Sequence, residues 1–237
     1  MAERTGHPVS KTVGLAASGL VLGAAALRWG PIHFETSGQV VDVVGRSSPA
    51  WWYGASIAAV FAASAAPLVA RVAPAAALSA AASTLFGVLA IALPATAMSF
   101  LRAASPRAVL FLLLLVWVCD SCAYYAGRRF GRRPLAPVVS PKKTWEGTVA
   151  GLVGATLFGA AAGTWWFLPQ LGPARGALAG ALASSAGQVG DLVESLWKRG
   201  AGVKDSGVFL PGHGGFYDRI DSLLFAGPVV AAFVLGA

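Results

Sequence analysis

Residues Ala174–Ser222 read ARGALAGALASSAGQVGDLVESLWKRGAGVKDSGVFLPGHGGFYDRIDS. The run from 174 to 197 is apolar over the length a membrane-spanning helix needs, and is rich in Ala and Gly. Within it, Ser184, Gln188, Asp191, Ser195 and Lys198 follow at intervals of four, three, four and three, which sets them on one helical face. A polar stripe of this kind cannot face lipid, because a carboxylate in hydrocarbon costs several kcal/mol unless it is paired, hydrated or bound to a cation. Asp191 therefore faces either a polar cavity or a seam of interhelical hydrogen bonds in which it is neutral or paired. Glu194 lies beside the same face.

The second half of the stretch concentrates charge in a chain that is only 12% charged. Pro211–Gly215 (PGHGG) is a rigid turn whose glycines let backbone amides approach an anion, though taken alone it is an ordinary loop. Asp218 and Asp221, three apart, share a face at the start of the next helix. With Asp191 arriving from the neighbouring helix end, they form a hard oxygen set suited to Mg²⁺, and carboxylates so close repel unless a cation or proton lies between them. Lys198, Arg199, Lys204 and Arg219 alternate with these acids and suit phosphate oxygens. A metal with phosphate clamps is the equipment of phosphoryl or nucleotidyl transfer.

Composition sets the wider frame. The 237 residues are 56% apolar with a mean hydropathy of +0.67, and the charged share is about half that of globular chains. A soluble domain would need a polar exterior that this chain lacks. Apolar runs fall at about 12–27, 51–70, 74–97, 108–126, 147–168, 174–197 and 222–237. The expectation is an all-α integral membrane protein, a polytopic bundle of about seven transmembrane helices in one domain over 1–237, with the polar site on the cytoplasmic side. The first run also has the outline of a signal peptide, but the further runs favour an uncleaved first helix. Lys and Arg gather in 127–146 and 198–221, two helices apart, so both loops are assigned to the cytoplasm. That places the N-terminus inside, the C-terminus outside and the 29–50 loop outside. The net charge of +8 comes mainly from short segments between apolar runs, which fits topology and anionic phosphate substrates rather than nucleic acid. Cys119 and Cys122 lie in an apolar run with no second pair nearby and read as small buried residues.

A second polar cluster runs Asp120, Tyr124, Tyr125, Gly127, Arg128 and Arg129, followed by Ser140–Gly147 (SPKKTWEG). The arginines by themselves read as an anchor on the cytoplasmic side. The Ser-Pro-Lys-Lys-Thr segment reads as a turn that starts a helix, where free amides with Lys142 and Lys143 suit a triphosphate.

At this point the sequence resembles the phosphatidate cytidylyltransferase (CDP-diacylglycerol synthase) family. The resemblance is carried by Ser195-Leu-Trp-Lys-Arg, Lys204-Asp205, Pro211-Gly-His-Gly-Gly and Asp218-Arg-Ile-Asp221-Ser, supported by Asp120 to Gly127, Ser140–Gly147 and Gly190-Asp191-Leu. It covers residues 85–237 well and the N-terminal third poorly. It implies a membrane enzyme, with a catalytic core at about 108–237, that joins CTP and phosphatidate to give CDP-diacylglycerol and pyrophosphate. It further implies Mg²⁺, a monovalent cation such as K⁺, a homodimer, and a site facing the cytoplasm from the bacterial inner membrane. Carried over by position, Asp191 and Asp218 are the metal carboxylates and Asp221 a further partner. Lys198 and Lys204 act in catalysis, and Ser195, Arg199, Arg219, His213, Gly214, Gly215, Lys142, Lys143 and Asp120 meet the phosphates of the two substrates. Two departures accompany the resemblance. The chain is shorter than many relatives at its N-terminal side, and Phe216-Tyr217 replaces the smaller aliphatics expected beside Asp218. A CTP-dependent enzyme acting on a polyprenol or ether-lipid phosphate shares the same equipment. A cation transporter would use the three aspartates but not the basic clamps, and a non-catalytic assembly protein gives no reason for so many acids.

Overall fold

The computed structural model describes residues 16–19, 32–36, 39–43, 49–69, 72–164, 167–207 and 215–236. Most of the apolar run at 12–27 lies outside the described residues, and 16–19 are helical. The chain forms two compact units, Ala2–Ala103 and Ala104–Ala237.

In the first unit, strands β1 (Ile32–Thr36) and β2 (Gln39–Val43) pair antiparallel with Ile32 opposite Val43. Helix α1 (Pro49–Val69) follows, then α2 (Pro74–Gly87), a π-helical turn at Val88–Ala92, and α3 (Leu93–Ala104). Pro74 opens α2, where a missing N–H costs nothing. The segment Pro74–Ala104 runs on as one helical stretch, long and apolar enough to cross a membrane.

The second unit carries all the polar clusters. Helix α4 (Pro106–Phe130) starts at Ser105, whose hydroxyl accepts from the Arg107 N–H at 3.1 Å, with Pro106 at the first helical position. Its buried face is Ala108, Phe111, Leu112, Leu115, Val116 and Cys119, a 3.6-residue period, while Leu110 and Trp117 are exposed apolar residues on a helix long enough to span. Arg128 and Arg129 in its last turn complement the negative end of the helix dipole.

The next segment departs from the expected turn. Strands β3 (Pro134–Ala136) and β4 (Ser140–Thr144) form an irregular antiparallel hairpin, and helix α5 starts only at Trp145. Prolines 134 and 141 cannot supply ladder donors, so helical periodicity stops here and the pairing is short. Among the described residues the helical expectation holds, with two small two-stranded hairpins added to it.

Helix α5 (Trp145–Ala162) is capped by Thr144, whose hydroxyl accepts from the Gly147 N–H at 3.2 Å. Every fourth residue along it, Gly147, Gly151, Ala155 and Gly159, is buried. A Cβ on Gly147 would lie 2.6 Å from the Ala123 carbonyl oxygen of α4. A Cβ on Gly159 would meet the Gly176 carbonyl of the helix on the other side. Bare backbone is what lets three helices pack this closely, and in lipid such packing replaces the missing hydrophobic drive. After a 3₁₀ turn at Pro169–Leu171, helix α6 runs from Gly172 to Gly200 and α7 from Tyr217 to Leu235. Gly190 of α6 packs against the ring of Phe225 on α7, and Arg175 donates to the Gly236 carbonyl at 3.0 Å, tying the start of α6 to the end of α7.

A candidate metal and phosphate site

The expected stripe on α6 and the acids at the start of α7 meet. Oxygens of Asp191, Glu194 and Asp221 all lie within 4.8 Å of one another, a spacing at which one cation can touch all three. Glu194 is 0% exposed. Its carboxylate sits in an ion pair with Lys198, one turn along the same helix, yet neither of its oxygens completes a well-formed hydrogen bond. Lys198 offsets only one of the three clustered carboxylates, and like charges this close favour a further cation between them, so this donor set fits a hard divalent ion.

Asp218 faces other partners. Its Oδ1 accepts from Lys198 Nζ at 2.7 Å, and its Oδ2 accepts from the Ser206 N–H and hydroxyl, both at 2.9 Å, and from the Gly215 N–H at 2.7 Å. Asp218 thus clasps the loop that follows α6 onto the first turn of α7. It lies ahead of the apolar run of α7. Burial alone raises its carboxyl, but the Lys198 ammonium and the Ser206 and Gly215 amides outweigh that and hold it well below the usual carboxylate range. Lys198 is a bridge between Glu194 and Asp218 here, rather than an open cation.

Beside the carboxylates lies a cavity of about 530 Å³, framed by α4, the β3–β4 hairpin, α5 and α6. Asp120, Lys142, Lys143 and Asp191 line it, so the two polar clusters of the sequence share one space. Lys143 is ion-paired to Asp191 and links the cavity to the carboxylate cluster. Gln188 donates to the Thr148 carbonyl at 3.3 Å, holding α6 to α5 at the cavity wall. The hairpin that brings the lysines is fastened by Glu146, whose Oε2 accepts from the Arg132 and Arg133 N–H groups at 3.1 and 3.3 Å. Hydrogen bonds from its own amide and from those two hold the exposed Glu146 carboxyl below its ordinary value.

Of the other residues singled out, Ser195 is half-buried on α6, and Arg199, Lys204 and Arg219 are exposed around the same end of α6 and α7. Gly215 is buried and gives its N–H to Asp218. His213 and Gly214 lie outside the described residues. The sequence reading missed Glu194 as a member of the carboxylate cluster, although its place three residues after Asp191 was the available signal. Gln188 of the polar stripe and Tyr124 and Arg128 of the second cluster line the cavity, as does Thr148, which the sequence reading did not single out because it lies on an apolar helix.

The cytidylyltransferase family matches residues 31–236. The chain belongs to that family. The chain is 45% identical over 129 residues to a phosphatidate cytidylyltransferase of Pseudomonas aeruginosa, an alignment covering 54% of this chain and 48% of that one. It is 44% identical over 128 residues to the phosphatidate cytidylyltransferase of Haemophilus influenzae, covering 53% and 44%. A phosphatidate cytidylyltransferase of Synechocystis is 45% identical over 120 residues, covering 51% and 40%. The chain spans about half the length of the curated relatives it matches, or somewhat less.

Proposed function

We propose that this chain transfers CMP from CTP to phosphatidate, giving CDP-diacylglycerol and pyrophosphate, as the names of its relatives suggest. The observation that carries the reading is the carboxylate triplet of Asp191, Glu194 and Asp221 beside a cavity lined by Lys142 and Lys143. A nucleotidyl transfer needs an electropositive wall for the triphosphate and an acidic cluster able to hold a divalent ion at its edge, and both are present in one unit.

In this reading the lipid phosphate is already ionised and its oxygen attacks the α-phosphorus of CTP in line. The bond to the β-phosphate breaks and pyrophosphate leaves with its electron pair, so no strong general base is required. Lys142 and Lys143 hold the phosphates, and the Lys143–Asp191 ion pair fixes the height of that wall against the acidic cluster. Lys198 and Asp218 position the loop and the carboxylates, while Arg199, Lys204 and Arg219 supply further positive charge around the mouth. Asp191, Glu194 and Asp221 would hold Mg²⁺, which supplies charge neutralisation at the phosphates when bound. A monovalent second cation and a homodimer belong to the same reading. So do a catalytic core at about 108–237, a bundle of about seven spanning helices within one membrane-embedded domain, and a site facing the cytoplasm from a bacterial inner membrane.

The test is radiolabelled CTP with purified protein in liposomes. Lipid-linked CMP and pyrophosphate should form only with phosphatidate present, stop with EDTA and resume with added Mg²⁺. Turnover with a polyprenol phosphate but not phosphatidate would redirect the substrate assignment. Absence of pyrophosphate with every lipid phosphate would overturn the reading.

A further inference from the structure

The walls of the cavity are not alike. The hairpin contributes Lys142 and Lys143, of which Lys143 is ion-paired to Asp191 of α6, so this wall keeps a net positive charge. The α4 wall is a single face, Asp120, Ala123, Tyr124, Gly127 and Arg128, descending from the C-terminal end of a helix long and apolar enough to span a membrane. Asp120 and Arg128 lie about 12 Å apart along that helix at 1.5 Å per residue. The end that holds Arg128 is ringed by exposed aromatic residues: Tyr124 at 58%, Tyr125 at 71% and Phe130 at 62% exposure. Exposed aromatic residues at the end of an apolar helix mark the headgroup level of a bilayer.

Arg128 lies in the cavity wall at that level. Its Nη1 donates to the Tyr124 hydroxyl at 3.2 Å, and it has no carboxylate partner among the described residues. The remaining guanidinium donors form a planar fork that matches two oxygens of a phosphate monoester. The neighbouring Arg129 differs: its guanidinium lies 5.6 Å from the Phe130 ring centre and borders another, shallower cavity.

We propose that the Tyr124–Arg128 face of α4 is the port by which the phosphate headgroup of the lipid substrate enters the cavity, with Arg128 taking the phosphate. This rests on the cytidylyltransferase reading above and adds the direction from which the lipid comes. A lipid keeps its acyl chains in hydrocarbon along the outside of α4 while its headgroup reaches inward, and Tyr124, apolar on its ring and polar at its tip, suits that boundary. A nucleotide arrives from water rather than along hydrocarbon, so the headgroup level of the bilayer favours the lipid at this rim. The triphosphate is then left to the Lys142 and Lys143 wall across the cavity.

The experiment compares wild type with Arg128→Gln, Arg128→Lys and Arg129→Gln, each checked for an unchanged melting temperature in detergent. In mixed micelles, Arg128→Gln should raise KM for phosphatidate about tenfold or more, the size of a lost charge-assisted hydrogen bond, with KM for CTP unchanged. Arg128→Lys should recover part of the loss, and Arg129→Gln should behave as wild type. Independently of turnover, native mass spectrometry of lipid-bound protein should show that wild type prefers phosphatidate over phosphatidylcholine and that Arg128→Gln loses the preference. A rise in KM for CTP instead, or equal lipid binding by wild type and Arg128→Gln, would overturn the port. A wild type that prefers phosphatidate but does not turn over CTP would leave the port standing and overturn the enzymatic reading.

Discussion

At the scale of single residues, the chemistry turns on which carboxylates have open lone pairs. Glu194 is buried beside Asp191 and Asp221 and ion-paired to Lys198, so exchanging it for Gln removes one anionic donor from the candidate cation site. We expect Glu194→Gln to lower turnover by about a hundredfold and to raise the Mg²⁺ concentration needed for half-maximal rate, with Glu194→Asp less affected. A purely structural role would lower the melting temperature and leave the Mg²⁺ dependence alone. Asp218 calls for a different expectation, since its oxygens are taken by Lys198, Ser206 and Gly215. Asp218→Asn should destabilise the folded unit by about 2–3 kcal/mol, below the full value for a broken buried pair because its site is partly open to water. Thermal unfolding in detergent checks this. Glu146 gives a pH-dependent signature. Its folded carboxyl is depressed, so the support it lends the hairpin is present above the ordinary glutamate value of about 4.3 and fades as pH falls toward the lower folded value. Hydrogen exchange at the Arg132 and Arg133 amides, corrected for intrinsic rate, should be slow at neutral pH and speed up on acidification. In Glu146→Gln it should be faster throughout, with little dependence on pH.

At the scale of elements, glycine positions decide how closely α4, α5 and α6 approach. A side chain on Gly159 would run into the Gly176 backbone, and neither helix has a flexible group there that can yield. Gly159→Ala should therefore cost about 1–3 kcal/mol through overpacking, while Gly200→Ala, with open space around it, should be neutral or slightly stabilising. Melting curves of the two variants in the same detergent make the comparison. The periodic Ala and Gly of these helices were legible in the sequence, as were the helix positions to within a few residues over most of the described chain. The β3–β4 hairpin was not, because Ser140–Thr144 contains neither an apolar alternation nor a recognisable turn pair. What holds it is the Arg133 carbonyl accepting from Trp145 and the Glu146 carboxylate closing over Arg132 and Arg133, contacts between the end of one helix and the start of the next that a local pattern does not show.

At the scale of the whole molecule, the polar site sits among packed helices rather than building them. Stripping divalent ions with EDTA should therefore abolish transfer yet leave the far-ultraviolet circular dichroism nearly unchanged, and returning Mg²⁺ should restore activity without refolding. Loss of helicity on chelation would show that the cation organises the fold. The sequence by itself determined the helical, strongly apolar character of the chain, the stripe carrying Asp191, and the pairing of acidic and basic groups into two clusters, because periodicity and composition are local properties. Tertiary structure alone decided that the two clusters border one cavity, that Glu194 joins Asp191 and Asp221, and that Asp218 turns to Lys198 and the loop. The physical reason is that a 3.6-residue repeat says which side chains share a face of one helix. Which oxygens from two helices come within reach of one ion depends on the rotation and close approach of those helices, set here by bare glycine backbone such as Gly187 and Gly190 against α7.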